Sequence, residues 1–380
     1  MIRTDLFNAH TNFHLSLLPN YLPRTALPGV VIPIRNRDSL APRTVRSVVR
    51  CSAIGTRVVL SALIFATGTA CGAAADPVPA AIEKVPVATW TPDPIAVRAN
   101  ELGLVPILMY HQVTPSPVGE YDQTPEKFRA ELERLYRENY RPVTAGDYIC
   151  GHIDIPAGTH PVVLTFDDST ITQLRFTEDA EVVPDTAIGI LEEFGARNPD
   201  FRPTATFYVN NEPFAGDGHA LPWLAAHGYE IGAHTASHAN LGRLDSIGVQ
   251  RELVENLRAI VTAAPGNRVR TMALPLGIFP ADRVLATAGS WDGTNYAFEA
   301  VLLVGAEPAP SPFGQLDPAG VPRIRSGKSE VDFASAYWLD RLDQHPDQRY
   351  TSDGNPNKIS APKLLADELN PRWRGQFNPY

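Results

Sequence analysis

Val162-Val163-Leu164-Thr165-Phe166-Asp167-Asp168 is an apolar run that stops on two adjacent carboxylates. Such a run reads as a buried strand delivering its terminal acids to the rim of a sheet or barrel, where α/β folds collect their active sites. About 65 residues later comes His234-Thr235-Ala236-Ser237-His238, after a short strand pattern around Tyr229-Glu230-Ile231-Gly232-Ala233. Two histidines four apart can face one point on a helical turn or a tight loop. One Asp with two His is the ligand set of a catalytic divalent metal that keeps positions open for water and substrate. That leaves a carboxylate over as a general base, so the two segments together point to metal-assisted hydrolysis. Taken singly, each has a plainer reading, the acids as a solvated turn or cap and the histidines as a surface pair.

Around these segments, strand and helix patterns alternate. Pro125 to Asn139 predicts a helix capped by Thr124, with Phe128, Leu132 and Leu135 on one face. Strands are expected near Pro161 to Phe166, Ala205 to Val209 and Tyr229 to Ala233, with an insertion from Ser169 to Pro203 that carries a helix around Ala187 to Phe194. A short helix from Pro222 to His227, an amphipathic helix from Gln250 to Thr262 and a late strand Val301-Leu302-Leu303-Val304 complete the series. Alternation of this kind predicts an α/β fold with a parallel sheet or barrel.

Thr165-Phe166-Asp167-Asp168, then Ala205-Thr206-Phe207-Tyr208-Val209, then Glu230 through His238 resembles the polysaccharide deacetylase family with the NodB-type catalytic domain, carbohydrate esterase family 4. Upstream, Val105-Pro106-Ile107-Leu108-Met109-Tyr110-His111 is similar to that family's first strand, and the likeness runs on to about Arg325. The resemblance implies a distorted (β/α) barrel. It also implies that Asp167 is the base and that Asp168, His234 and His238 hold the metal, expected to be zinc, with cobalt, nickel or iron as alternatives. Ala273-Leu274-Pro275-Leu276-Gly277 occupies the place of the family's Arg-x-Pro-Tyr-Gly loop, which makes the N–H of Leu276 the candidate oxyanion donor.

The departures are as specific as the matches. Ala273 stands where the family has the arginine that orients the base, Leu276 replaces its tyrosine, and Ser169 replaces the glycine after the two acids. Arg270 lies three residues too early, and Arg323 in Val321-Pro322-Arg323-Ile324 is the expected substitute. The family's late Leu-x-His, the general acid, has no counterpart. In a barrel the first and last strands are neighbours, so His111 could serve as acid or substrate contact from next door, or else be a structural histidine capping its strand.

Arg43, Arg46, Arg50 and Arg57 precede Val58 through Thr67, a basic then apolar leader too short for a comfortable membrane span. Residues 1–71 therefore read as a leader with a secretion signal, of which 1–42 fit a mis-called start. Gly68-Thr69-Ala70-Cys71 resembles a lipobox, and Ala73-Ala74-Ala75 offers a cleavage site instead. Residues 72–100 read as an Ala/Pro-rich linker, 101–340 as the catalytic domain and 341–380 as a polar C-terminal tail packed on the barrel. With Cys51 lost and Cys71 lipidated, Cys150 would be the one thiol left; without lipid, a Cys71–Cys150 bridge is the alternative.

The chain of 380 residues has a formal net charge of −9 although its leader is rich in arginine, so the remainder is more acidic still. That disfavours nucleic acid and anionic lipid as partners. Trp223 and Trp291 could line a sugar groove, though core packing is the preferred reading. The expectation is an exported, monomeric, metal-dependent enzyme that removes acetyl groups from a polysaccharide, touching the membrane only through a signal or lipid anchor. The alternatives are a catalytically silent glycan-binding lipoprotein and an amidase on a non-sugar substrate.

Overall fold

The structure is a computed structural model that describes residues 92–305, 307–327 and 333–380. The leader, Cys71 and the linker up to residue 91 lie outside the described residues. Among the described residues no helix is long and apolar enough to cross a membrane.

The chain enters β1 (Ile107–Tyr110), then α1 (Pro125–Arg137), β2 (Tyr140–Val143), α2 (Ala145–Cys150) and β3 (His160–Phe166). Next come α3 (Ala187–Arg197), β4 (Thr206–Val209), the turn α4 (Pro213–Gly216), α5 (Ala220–Ala226) and β5 (Glu230–Ala233). After α6 (Ser246–Ala263) and β6 (Thr271–Ala273) the chain forms a hairpin of β7 (Ala288–Trp291) and β8 (Thr294–Ala297). It then returns to the sheet as β9 (Ala300–Leu302) and β10 (Ile324–Arg325).

The main sheet is parallel throughout, in the order β10-β1-β3-β4-β5-β6-β9, with β2 on the first half of β3. Its two ends meet. Leu302 of β9 bridges Val321 in parallel, just ahead of β10, while Ile324 pairs with Leu108 of β1. The segment from Val321 to Arg325 is thus the closing stave of the expected distorted barrel.

Strand parity sorts the side chains. Ile107, Val163, Tyr208, Ala273, Leu302 and Val321 form one buried cluster inside the barrel. Leu108, Tyr110, Leu164, Phe166, Phe207, Val209 and Ile231, the alternate residues, belong to a second cluster that packs under the helices. There Tyr110, Phe166 and Phe207 stack across three strands, with centroids 4.9 Å apart at each step. Phe128 of α1 meets Tyr110 edge-on at 5.2 Å. Because both faces of β3 are covered, its whole run is buried, which is why it reads as continuously apolar. Gly232 sits opposite Tyr208, and a Cβ there would lie 2.4 Å from the tyrosine ring, so β5 can pass only as glycine.

Helix starts follow side-chain caps. Thr124 accepts from Lys127 N–H ahead of Pro125, Thr186 caps α3, and Asp245 caps α6 at 2.7 Å. The Asp245 cap starts α6 at Ser246, four residues before the apolar pattern suggests. Cys150 ends α2 and is disulfide-bonded, with its partner outside the described residues.

The C-terminal segment forms α7 (Ser335–Gln344) and the strand pair β11 (Ile359–Ala361) and β12 (Phe377–Pro379), and its Tyr350, Ile359 and Ala361 extend the barrel's interior cluster. It is fastened to residues 100–104 by backbone bonds between Asn100 and Thr351 and between Leu104 and Tyr350. A buried carboxylate locks this junction. Glu101 accepts from the N–H of Ser360 at 2.8 Å and of Asp353 at 3.3 Å, and Asp353 accepts from the Ser360 hydroxyl at 2.7 Å. Burial, then the neighbouring Asp353 charge, push the Glu101 carboxyl from 4.5 up to about 8.

This sets a pH dependence. Below 4.5 folded and unfolded chains both hold the proton, and the contribution of Glu101 is complete. Between 4.5 and about 8 only the folded chain keeps it, so stability falls as pH rises. Urea unfolding at pH 5 and pH 8.5 should show a loss on the order of a few kcal/mol that Glu101→Gln removes. An identical pH slope in the variant would show that Glu101 titrates normally.

Candidate active site

Parity places the site. His111 continues the inward series of Ile107, Asp167 continues that of Val163 and Thr165, His234 follows Gly232, and Arg323 follows Val321. Asp167 and Arg323 are both buried, at 2% and 0% exposure. Their side chains form a two-pronged ion pair, with Nη1 to Oδ1 at 2.8 Å and Nη2 to Oδ2 at 2.7 Å. Arg323 also donates through Nε to the Leu303 carbonyl at 2.7 Å and through Nη1 to the Thr165 hydroxyl at 3.1 Å. Its guanidinium lies over the Tyr208 ring at 5.6 Å. Burial by itself would raise the Asp167 pKa, but Arg323 overcomes it and holds the carboxyl well below the usual carboxylate range.

Asp168 would point out of the barrel if β3 continued. Instead the backbone turns left-handed at Asp168 and Ser169, with φ of 73° and 49°. The second carboxylate thereby comes back over the rim, and its Oδ1 lies 3.4 Å from His234 Nε2 and 3.5 Å from His238 Nε2. Thr235, His238 and Leu276 are also left-handed without being glycine. Strained backbone of this kind concentrates where a site over-determines geometry.

Asp168, His234 and His238 present ligand atoms all within 4.8 Å of one another, the one such cluster among the described residues. The atoms fit a cation. His234 donates from Nδ1 to the Ala273 carbonyl at 2.8 Å, which leaves Nε2 as the free lone pair. That Nε2 and Asp168 Oδ1 are both buried without a hydrogen-bond partner. Burial would lower the His234 pKa, yet the carboxylates of Asp167 and Asp168 raise it, so the pocket favours positive charge. Arg323 cancels one of the two acids, and the other faces the histidines.

His111 stands beside this cluster, Nε2 at 4.0 Å from Asp168 Oδ2. Its ring stacks on Tyr121 at 4.8 Å, and Nδ1 is buried without a hydrogen-bond partner. Burial lowers its pKa despite the two acids nearby. Gln173, which the sequence did not single out, ties the rim together by donating to the carbonyls of His111 at 2.7 Å and Asp167 at 2.5 Å. Leu276 lies in the turn just past Ala273, 56% exposed, with φ of 59°. Arg270 does not enter the site, since it pairs with Glu299 at 3.0 Å and Asp147 at 3.5 Å. Trp223 is stacked on His227 at 3.8 Å, and Trp291 lies under Arg258 at 5.5 Å, so both serve packing.

Residues 154–291 match the family model described as polysaccharide deacetylase, so the resemblance carried by the motifs holds over that segment. A chitooligosaccharide deacetylase of Bradyrhizobium sp. (strain ANU 289) is 32% identical over 132 residues, 35% of this chain and 52% of that protein. One of Rhizobium leguminosarum bv. phaseoli is 32% identical over 92 residues, 24% of this chain and 40% of that protein. The chain thus spans about half or less of the curated relatives it matches. Among solved structures, the Streptococcus pyogenes deacetylase PplD in complex with acetate is 18% identical, with a TM-score of 0.47, over 62% of this chain and 97% of that one.

The buried pair can be tested without any substrate. Arg323→Ala strands Asp167 in the interior and should cost roughly 3–5 kcal/mol in urea unfolding. A loss below about 1 kcal/mol would mean that the pair does not hold the closing stave.

Proposed function

We propose that this chain is a metal-dependent deacetylase that hydrolyses acetyl groups on a polysaccharide. The observation that carries the reading is the Asp168, His234 and His238 cluster beside an Asp167 clamped by Arg323, on a segment that matches the deacetylase family model. Asp168, His234 and His238 would hold a divalent cation, for which zinc suits two imidazoles and a carboxylate. When bound, the cation supplies Lewis acidity and lowers the pKa of water.

The chain's own residues divide the rest of the work. Asp167, kept anionic and fixed in direction by Arg323, takes a proton from the attacking water. Its weak basicity suits water whose own pKa is already lowered. The new C–O bond forms at the acetyl carbonyl, the bond to the sugar nitrogen or oxygen breaks, and acetate leaves. The N–H of Leu276 is assigned to the oxyanion. His111 takes the place of the family's missing acid and protonates the leaving group. An acetylated glycan suits the acidic chain better than a nucleic acid does, and the basic-then-apolar leader supports export to the cell envelope. The presence of Arg323 at the base argues against the silent binder, because the orienting cation absent from position 273 is supplied from another strand.

Acetate release from acetylated chito-oligosaccharide and from peptidoglycan, with zinc or cobalt added, tests the reading. Activity should vanish on chelation and fall at least about 100-fold in Asp167→Asn. Stoichiometric metal with no acetate from any acetylated glycan would favour a glycan binder. His111→Ala should lose about 10²-fold with metal still bound, and full activity would remove His111 from the mechanism.

A further inference from the structure

The loop between the two histidines is held from α6 on one side and from the end of β4 on the other. On α6, Glu252 and Asn256 lie one turn apart, and both are buried. The Glu252 carboxylate accepts from the Ser237 N–H at 2.9 Å and from the Ser237 hydroxyl at 3.0 Å, and its backbone carbonyl accepts from the Ala236 N–H at 3.1 Å. Asn256 accepts from the His234 N–H at 3.1 Å and donates to the Val209 carbonyl at 3.0 Å. From β4's end, Asn210 donates to the carbonyls of His234 and Thr235, at 2.5 and 3.0 Å. Every bond that these three side chains make to residues 234–237 is to the backbone or to Ser237, and none is to an imidazole.

The loop needs such a grip. Thr235 and His238 both carry left-handed backbone, with φ of 65° and 55°, in residues that have a Cβ. A free loop would relax out of that conformation, and His238, on its far side, would swing away from Asp168. His234 has anchors apart from Glu252, in its own strand, in Asn256 and in the Ala273 carbonyl. The half of the site that depends on the Glu252–Ser237 contact is therefore His238.

We propose that Glu252 is a positioning residue for the metal centre, acting through Ser237 to set His238 against Asp168 and His234. The inference rests on the reading of those three residues as a metal site. Gln should substitute well, because its oxygen can accept from the Ser237 N–H while its amide donates to a hydroxyl turned to accept. Ala cannot.

The experiment is a cobalt(II) titration of the metal-free protein, read by the cobalt visible absorption bands and by affinity, with unfolding of the metal-free state measured alongside. Wild type should bind one cobalt with a four- or five-coordinate spectrum. Glu252→Ala should lose about 10- to 100-fold in affinity and shift those bands, and Glu252→Gln should stay within a few-fold. Should Glu252→Ala not fold, Ser237→Ala and Ser237→Pro provide graded weakening of the same contact and should rank in that order. Glu252→Ala that binds cobalt as wild type does, at whatever cost in stability, overturns the positioning role and leaves the metal site standing. Wild type that takes up no cobalt overturns both.

Discussion

A guanidinium with no exposure to solvent must find an acceptor for each donor it can, and Arg323 finds them at the ends of two strands, β3 and β9. It spends two donors on Asp167, one on Thr165 in the same strand, and one on the Leu303 carbonyl beyond β9. Those contacts draw the closing stave, β3 and β9 toward the barrel axis. Removing either partner of such a pair leaves an uncompensated buried charge, a loss larger than the net worth of the pair itself. Barrel closure and the charge state of Asp167 are thus one interaction. The barrel keeps its shape because Asp167 is charged, and Asp167 stays charged because the barrel closes.

The same pair divides the labour of the two acids. With Asp167 neutralised by Arg323, the remaining negative charge at the rim belongs to Asp168, which the left-handed turn brings up to His234 and His238. Two neighbouring residues thereby acquire opposite environments: one dry and bound to a fixed cation, the other half-open with an unpartnered oxygen. A site that needs one carboxylate for a cation and another for a proton requires that separation. Strand parity supplies its first half and backbone strain its second.

How far the site can be read from the chain varies residue by residue. The Asp167-Asp168 and His234 to His238 motifs are local patterns, and they fall within the segment that matches the family model. His111 and Arg323 lie on either side of it, and no local feature ties either one to a motif more than fifty residues away. Arg323 was an expected substitute for the arginine missing at position 273, and the register Ile324 to Leu108 is what brings it in. Gln173, Glu252 and Asn256 carry no signal, because a polar residue on a helix or loop reads as solvated until its burial is known. The β7–β8 hairpin carries no clear sequence pattern for a related reason, since its alternation is short and its faces are only partly covered.

By itself, the sequence determined the central strands β3, β4 and β5, the helices between them, and the four residues of the central motif. These follow from periodicity and from acids or histidines placed at strand ends, which are properties of neighbours along the chain. The tertiary structure decided which acid enters the barrel and which turns to the rim, that Arg323 of the closing stave pairs with Asp167, and that α6 helps to hold the histidine loop. Each of these depends on contacts between residues far apart in sequence, where register, burial and the pairing of every buried charge select one partner among many.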